Sequence, residues 1–170
     1  MIPILETERL TLRGHTADDL SACAALWSDP EVVRYIGNVT STREQAWARL
    51  LRYVGHWELF GFGFWCVFER RTGRFVGEVG LANFERDISP PIDAVETGWV
   101  LASWAHGRGF ATEGMRAVLA FADQKLPDKP TACLIDPPNQ ASIRVAHKLG
   151  YEERRQATYH GSPILVFGRG

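Results

Sequence analysis

His106-Gly-Arg-Gly-Phe-Ala111 joins two different periodic patterns and so locates a strand-to-helix connection. The preceding segment, residues 94–101, is typical of a strand, and from about Gly109 onward apolar residues recur at helical spacing. A glycine turn in this position can direct backbone N–H groups and the helix dipole at an anionic phosphate. Gly107 and Gly109 permit positive φ angles and close ligand approach, although two glycines can equally serve only a tight turn. The stretch therefore predicts an α/β unit with either a phosphate site or a plain tight connection.

Two common nucleotide motifs do not fit this turn. A Rossmann fingerprint has Gly or Ala at its third small position, where this chain has Thr112. A Walker loop ends in Gly-Lys-Ser or Gly-Lys-Thr, and no such ending follows Gly109. The turn therefore predicts neither of these two nucleotide sites.

The remaining periodicity predicts a mixed sheet with flanking helices. Strand–helix–strand order in the second half implies a parallel strand pair, whereas the predicted hairpins imply antiparallel pairs. The class is α/β, or α+β by a stricter definition. On the longest early helix, the predicted apolar stripe consists of Trp47, Leu50, Leu51, Val54 and Trp57. Strands are predicted at 9–13, 64–68, 75–81, 94–101 and 131–135 with a closing hairpin around 160–161. Helices are predicted at 16–29, 41–57, 109–126 and 139–150, and residues 31–36 can add another helical turn.

Length and charge restrict the classes of function. A chain of 170 residues predicts one domain over 1–170 that buries a full core. Lys and Arg total 19 against 20 Asp and Glu, so there is no global positive field for nucleic acid or an anionic membrane. No apolar run approaches the ~20 residues that span a bilayer. Acidic residues also occur within the first ten positions, before any long apolar stretch, which is not typical of a signal peptide. We therefore expect an untargeted cytoplasmic protein that binds neither partner.

The cysteines and histidines give no metal or disulfide pattern by spacing. Cys23, Cys66 and Cys133 are odd in number, far apart and outside any Cys-x-x-Cys motif. The five histidines also lack ligand spacing. We expect a reducing compartment and no metal. Cys133 lies in an apolar strand, which favours a buried core residue over a nucleophile.

Five segments in order give the chain a resemblance to a known family. Across nearly its whole length it resembles the GCN5-related N-acetyltransferases (GNAT), and among them the RimJ/RimL-type ribosomal-protein N-terminal acetylases. The resemblance implies a mostly antiparallel twisted sheet of about six to seven strands flanked by about four helices. The segments are Thr7-Glu-Arg-Leu-Thr-Leu-Arg13, Val76-Gly-Glu-Val-Gly-Leu81, Val95-Glu-Thr-Gly-Trp-Val-Leu101, Gly107-Arg-Gly-Phe-Ala-Thr-Glu113 and the run from Asn139 to Tyr151.

The resemblance also implies acetyl-CoA as cosubstrate and assigns residues to it. The glycine turn would hold the pyrophosphate, the preceding strand would bind the pantetheine and thioester, and the start of the last long helix would contact the pantetheine. The corresponding residues are His106, Gly107, Arg108, Gly109, Phe110, Ala111 and Thr112 in the turn, Trp99, Val100, Leu101 and Ala102 in the strand, and Asn139 and Ser142 in the helix.

Two positions depart from the family pattern. His106 stands where many members have Arg or Gln, which leaves the phosphate contact to backbone groups and Arg108. Ala146 stands where many members have a tyrosine that protonates the leaving thiolate. Ser142 becomes the candidate acid, because the third residue after Asn139 lies on the same side of the helix.

Glu96 is the candidate general base. It shares one strand face with Gly98 and Val100 and comes from the strand that would hold the thioester. A strand glutamate paired with a nearby arginine is the equally weighted alternative. A backbone N–H near Val100 or Leu101 would stabilise the oxyanion. An α-amine needs little base, since on the order of 10% of it is already neutral at neutral pH.

Two hypotheses of function follow. The first is an N-acetyltransferase that transfers acetyl directly from acetyl-CoA to a primary amine. The acceptor stays open between protein N-termini, aminoglycoside-like drugs and small metabolic amines, and the family implies a monomer or homodimer. The second is a non-catalytic acyl-CoA-binding sensor of the same fold, which the missing tyrosine suggests. In the family, the first two helices cover the acceptor site; here they contain Trp27, Tyr35, Trp47, Tyr53 and Trp57.

Overall fold

The computed structural model describes residues 1–170 and contains one sheet of eight strands in the order β1-β2-β3-β4-β5-β6-β8-β7. Neighbouring strands are antiparallel except β5 and β6, which are parallel, so the predicted mixed sheet is confirmed. The count exceeds the predicted six to seven because β1 is a two-residue strand without a readable alternation. The strands are β1 Leu5–Glu6, β2 Leu10–Arg13, β3 Phe64–Glu69, β4 Phe75–Ala82, β5 Val95–Leu101, β6 Thr131–Ile135, β7 Glu152–Tyr159 and β8 Ser162–Arg169.

Five α-helices accompany the sheet, where the sequence predicts about four and a further helical turn at 31–36. The additional helix is a single turn that begins at Pro30, where Asp29 accepts a hydrogen bond from the backbone N–H of Glu31. Thr42 and Gln45 form a reciprocal capping box at the start of the longest helix. The helices are α1 Leu20–Ser28, α2 Pro30–Val33, α3 Arg43–Phe60, α4 Phe110–Lys125 and α5 Gln140–Lys148.

The two faces of the sheet carry different layers. The main core packs α4 and α5 against one face and includes Val79, Met115 and Ala146. On the other face, Cys66 packs with residues of α1 and α3, and Glu78 accepts a hydrogen bond from Trp27 of α1. Because side chains alternate along a strand, β5 directs Glu96 and Val100 toward the α1 and α3 layer.

The buried face of α3 differs from the predicted apolar stripe. Leu50 and Trp57 are buried as predicted, but Trp47, Leu51 and Val54 are between 36% and 49% exposed. The prediction is wrong for these three residues. The helix instead buries a small side chain and side chains with polar tips, and a search for strongly apolar residues at helical spacing overlooks both kinds. The buried positions are Ala46, Leu50, Tyr53, His56 and Trp57.

A gap opens between the two parallel strands. Strands β5 and β6 pair only at Val95 with Thr131 and at Glu96 with Ala132. Beyond Glu96 both strands continue without pairing, β5 to Leu101 and β6 to Ile135. The gap therefore exposes one backbone edge of β5 and provides a passage between the two helical layers.

Gly80 lies on β4 where the adjacent strand leaves no room for a side chain. A Cβ at this position would overlap the Cα of Phe64 and the carbonyl oxygen of Gly63. We expect Gly80→Ala to lower the free energy of unfolding by about 1–3 kcal/mol in chemical denaturation. The control is Gly114→Ala in α4, whose Cβ would meet Leu10 and Val79 at 3.7 Å and which should be neutral or stabilising. Wild-type stability of Gly80→Ala would contradict this account of the β3–β4 packing.

Candidate active site

A cavity of about 250 Å³ lies at the gap between β5 and β6. It is lined from both helical layers, with aromatic and arginine side chains on one side and the start of α5 on the other. We call it the gap cavity. A second cavity, of about 210 Å³, lies around Pro91 and Phe167 and contains none of the predicted site residues. The predicted residues that line the gap cavity are Glu96, Trp99, Val100, Asn139 and Ser142, together with Trp27, Tyr35 and Tyr53.

The glycine turn has the backbone of an anion site. Gly107 and Gly109 have φ angles of +72° and +79°, and Gly109 caps the N-terminus of α4. None of the backbone N–H groups of residues 107–112 donates a hydrogen bond to the rest of the chain. Unpaired donors at a helix N-terminus attract anionic oxygen atoms through the donors themselves and the helix dipole. These residues therefore fit the pyrophosphate of acetyl-CoA.

The N-terminal segment holds this turn in place, a role that the sequence did not reveal. Arg9 donates from Nε to Oε2 of Glu113 at 2.7 Å and from Nη1 to the carbonyl oxygen of Arg108 at 2.9 Å. Thr7 donates to Oε1 of Glu113 at 2.6 Å. Burial acts to raise the pKa of Glu113, but the hydrogen bonds from Thr7 and Arg9 outweigh it and lower the pKa. The carboxylate stays ionised and ties the turn to the segment that precedes β2.

The side chains of the turn are engaged within the protein. His106 contacts the carbonyl oxygen of Leu101 at 2.8 Å through Nε2. Arg108 lies over the ring of Phe110 with Nη2 3.7 Å from Glu69, so its guanidinium has a partner other than a phosphate. Phe110 and Thr112 are buried, which leaves their backbone N–H groups as the available contacts.

Gly109→Val should weaken acetyl-CoA binding by about tenfold or more, because a β-branched residue is strained at this positive φ and displaces the turn's N–H groups. Isothermal calorimetry on the purified variant measures the change. The matched control is Gly161→Val, which places the same strain at φ +77° in the β7–β8 turn. Unchanged affinity in a folded Gly109→Val protein would remove the phosphate role of this turn.

The start of α5 brings two predicted residues together. Asn139 caps the helix by accepting the backbone N–H of Ser142 at 3.1 Å. Ser142 Oγ accepts the indole N–H of Trp99 at 3.3 Å. Since the hydroxyl accepts this bond, its own proton remains available to a group in the cavity. Ala146 is fully buried and has no polar group for that task.

Glu96 is buried at the closed end of the gap. Its Oε1 accepts a hydrogen bond from Arg86 Nε at 2.6 Å, and Arg86 also donates to the hydroxyl of Tyr159 at 3.1 Å. Burial raises the pKa of Glu96 above its ordinary value, and the charge of Arg86 opposes but does not cancel that rise. The ion-pair alternative is thus present in the structure, and the carboxylate also lines the cavity.

The backbone of β5 presents alternate residues to the gap. The carbonyl oxygen of Val100 faces Gly77 of β4, and Ala102 donates its N–H to Val76 of β4. Because backbone groups alternate in direction along a strand, the N–H of Leu101 faces the gap. Of the two expected oxyanion donors, Leu101 is the one that this geometry favours.

The aromatic residues of the early helices divide into three environments. Trp27, Tyr35 and Tyr53 line the gap cavity. Trp57 instead packs in the main core, and Trp47 is exposed at the surface. The expectation of an aromatic cover therefore applies to the first three residues only.

Behind the cavity wall lies a cluster that sequence spacing missed. His15, Cys23 and Cys66 are buried with their ligand atoms within 4.8 Å of one another. Glu78 contacts His15 Nε2 at 2.9 Å and accepts the indole N–H of Trp27 at 2.8 Å. Residues this distant in the chain meet only after folding, so their spacing gave no signal. The visible consequence is a fixed orientation of Trp27 in the cavity wall.

A family model matches most of the chain. It describes the acetyltransferase (GNAT) domain, and the match covers residues 9–152. The chain belongs to the GNAT family of acetyltransferases. The resemblance indicated by the sequence motifs is confirmed, as is the expectation of an N-acetyltransferase.

Individual relatives cover nearly the whole chain. YkkB of Bacillus subtilis (strain 168) is 29% identical over 172 residues, which is 97% of this chain and 94% of YkkB. The acetyltransferase structure from Agrobacterium tumefaciens str. C58 is 26% identical with a TM-score of 0.85, covering 100% of this chain and 95% of its own. RimL, a ribosomal L7/L12 α-N-protein acetyltransferase solved with coenzyme A, is 14% identical with a TM-score of 0.79, covering 98% and 97%. RimL therefore shares the fold. None of the helices of this GNAT protein combines the length and apolarity needed to cross a membrane.

Proposed function

We propose that this GNAT protein transfers acetyl directly from acetyl-CoA to a primary amine in the gap cavity. The observation that carries the proposal is the position of the unpaired N–H groups of residues 107–112 at the end of β5, whose free edge leads into that cavity. A pyrophosphate on the turn would direct the pantetheine along β5 toward Glu96. RimL, which shares the fold, is solved with coenzyme A and supports this cosubstrate.

The residues of the cavity, together with Leu101 at the free edge of β5, can serve each part of the reaction. The amine nitrogen attacks the thioester carbonyl carbon, and the N–H of Leu101 stabilises the resulting oxyanion. Glu96 accepts the proton that the amine loses, directly or through water. The C–S bond then breaks, and Ser142 donates its hydroxyl proton to the leaving thiolate. The serine recovers a proton through water from protonated Glu96, so that both groups return to their starting states. The products are an acetylated amine and coenzyme A.

Covalent catalysis by cysteine does not fit the cavity. Cys133 is the cysteine that lines it, and burial raises the pKa of this thiol to about 12. A thiol with such a pKa is protonated at neutral pH and is a poor nucleophile. Direct transfer needs no acyl-enzyme and therefore agrees with the residues present.

The alternative function is an acyl-CoA sensor without turnover. The buried carboxylate of Glu96 and the available proton of Ser142 favour the enzyme, because binding alone requires neither group. Incubation with acetyl-CoA, a thiol reagent and a panel of amines separates the two functions. Amine-dependent release of coenzyme A supports the transferase, whereas tight binding without release for every amine supports the sensor.

A further inference from the structure

Two arginines of α3 line the gap cavity without a carboxylate partner. Arg49 and Arg52 both contribute to the wall, and neither forms an ion pair. Arg86 is the third arginine of the wall. It differs from the other two because its Nε lies 2.6 Å from Oε1 of Glu96, which neutralises its charge. The α3 side of the cavity thus carries two positive charges that have no ion-pair partner.

Aromatic rings and a hydroxyl hold these two guanidinium groups. Arg49 lies 3.7 Å from the centre of the Trp27 ring and donates to Ser41 Oγ at 3.2 Å. Burial lowers the pKa of Arg49 below its ordinary value, although an arginine so placed stays charged. Arg52 lies 4.9 Å from the centre of the Phe84 ring. Stacked guanidinium groups keep their edge N–H donors free for a planar anion.

The charged residues of the cavity wall favour an anionic acceptor amine over a polycationic one. Glu96 is already paired with Arg86, which leaves Asp136 as the other acidic residue of the lining. A polycation would therefore meet two unpaired arginines, whereas an anion would find two donors. Tyr53, Phe64 and Phe84 add apolar surface beside them.

We propose that Arg49 and Arg52 form an anion-binding subsite for the acceptor, which is a primary amine that carries a carboxylate or phosphate group. This inference rests on the proposed function and names its substrate class. The anion is not the pyrophosphate of acetyl-CoA, since the glycine turn at residues 107–112 is not part of the cavity lining. The pyrophosphate on the glycine turn and the acceptor's anion on the α3 side of the cavity thus occupy separate sites.

Three aromatic acceptors that share one aminomethyl group test the subsite, because they differ only in the group at the para position. We compare para-aminomethylbenzoate with its neutral carboxamide, with para-aminomethylphenylphosphonate, and with spermidine as a polycation. Charge-assisted hydrogen bonds to the anion should raise kcat/KM by roughly 10- to 100-fold over the carboxamide. The benzoate and phosphonate arms distinguish carboxylate from phosphate recognition. A faster reaction with the carboxamide or spermidine than with either anion would overturn the proposal.

Variants then assign the preference to the two arginines. Arg49→Gln with Arg52→Gln should abolish the preference for the anionic acceptor while leaving acetyl-CoA affinity unchanged. Arg43→Gln is the control, because Arg43 lies on the same helix outside the cavity, near Ser21. A purely structural role would lower the rates of benzoate and carboxamide equally, and that result would overturn the subsite. Failure to acetylate any amine, by contrast, would contradict the proposed function itself.

Discussion

Glu96→Gln is expected to lower kcat/KM by about 10²- to 10⁴-fold, with the greatest loss between the pKa of Glu96 and the pKa of the amine, where the carboxylate is ionised and the neutral amine is scarce. The substitution keeps an oxygen that can accept the 2.6 Å hydrogen bond from Arg86 but removes the group that takes the proton. Initial rates across a pH series, with acetyl-CoA affinity measured in parallel, check the prediction.

Arg86→Gln provides the matched comparison, because it breaks the same ion pair and leaves the carboxylate. The charge of Arg86 lowers the pKa of Glu96, so its removal should raise that pKa further. Glu96 must be deprotonated to act as a base. In the pH profile of kcat/KM, the fall on the acidic side should therefore move to higher pH in Arg86→Gln. A loss of less than about threefold in Glu96→Gln would instead mean that water carries the proton.

Ser142→Ala is expected to lower kcat by about 10²-fold or more while acetyl-CoA affinity changes little. The serine hydroxyl accepts the N–H of Trp99 at 3.3 Å, and we propose that its own proton goes to the leaving thiolate. Asn139 bonds to the backbone N–H of residue 142, so the helix cap survives the substitution. Steady-state kinetics and calorimetry together separate catalysis from binding.

Ser103→Ala is the control for the serine substitution. Its hydroxyl bonds to Asp29 at 3.0 Å and lies outside the cavity lining, so kcat should stay at the wild-type value. A Ser142→Ala protein that keeps kcat within about threefold would show that water protonates the thiolate and that orientation and oxyanion stabilisation dominate.

The parts of the fold that local sequence determines were predictable. The strand before the glycine turn, the helix after it and the cap at Asn139 depend on neighbours within a few residues. The positive φ angles of Gly107 and Gly109 likewise follow from a turn that must reverse direction in a short space. These local rules located the elements of the proposed cosubstrate half of the site.

The acceptor half depends on contacts between distant segments, which sequence alone could not supply. The ion pair of Glu96 with Arg86 was one of two open alternatives, since nothing in a strand pattern fixes the position of a loop arginine. Arg49 and Arg52 lie on a helix whose buried face differs from its most apolar stripe, so their direction was not readable. The Arg9 contact to Glu113 joins residues 104 positions apart and was missed for the same reason.

Simultaneous measurement of both products tests the central claim most directly. The wild-type protein is incubated with acetyl-CoA and, separately, para-aminomethylbenzoate, an α-amino peptide and spermidine, while released thiol and acetylated amine are quantified in the same sample. Direct transfer predicts one acetylated amine for each coenzyme A released with at least one acceptor, and no release without protein or amine. Release of coenzyme A without any acetylated amine, or no release with every acceptor, would contradict it.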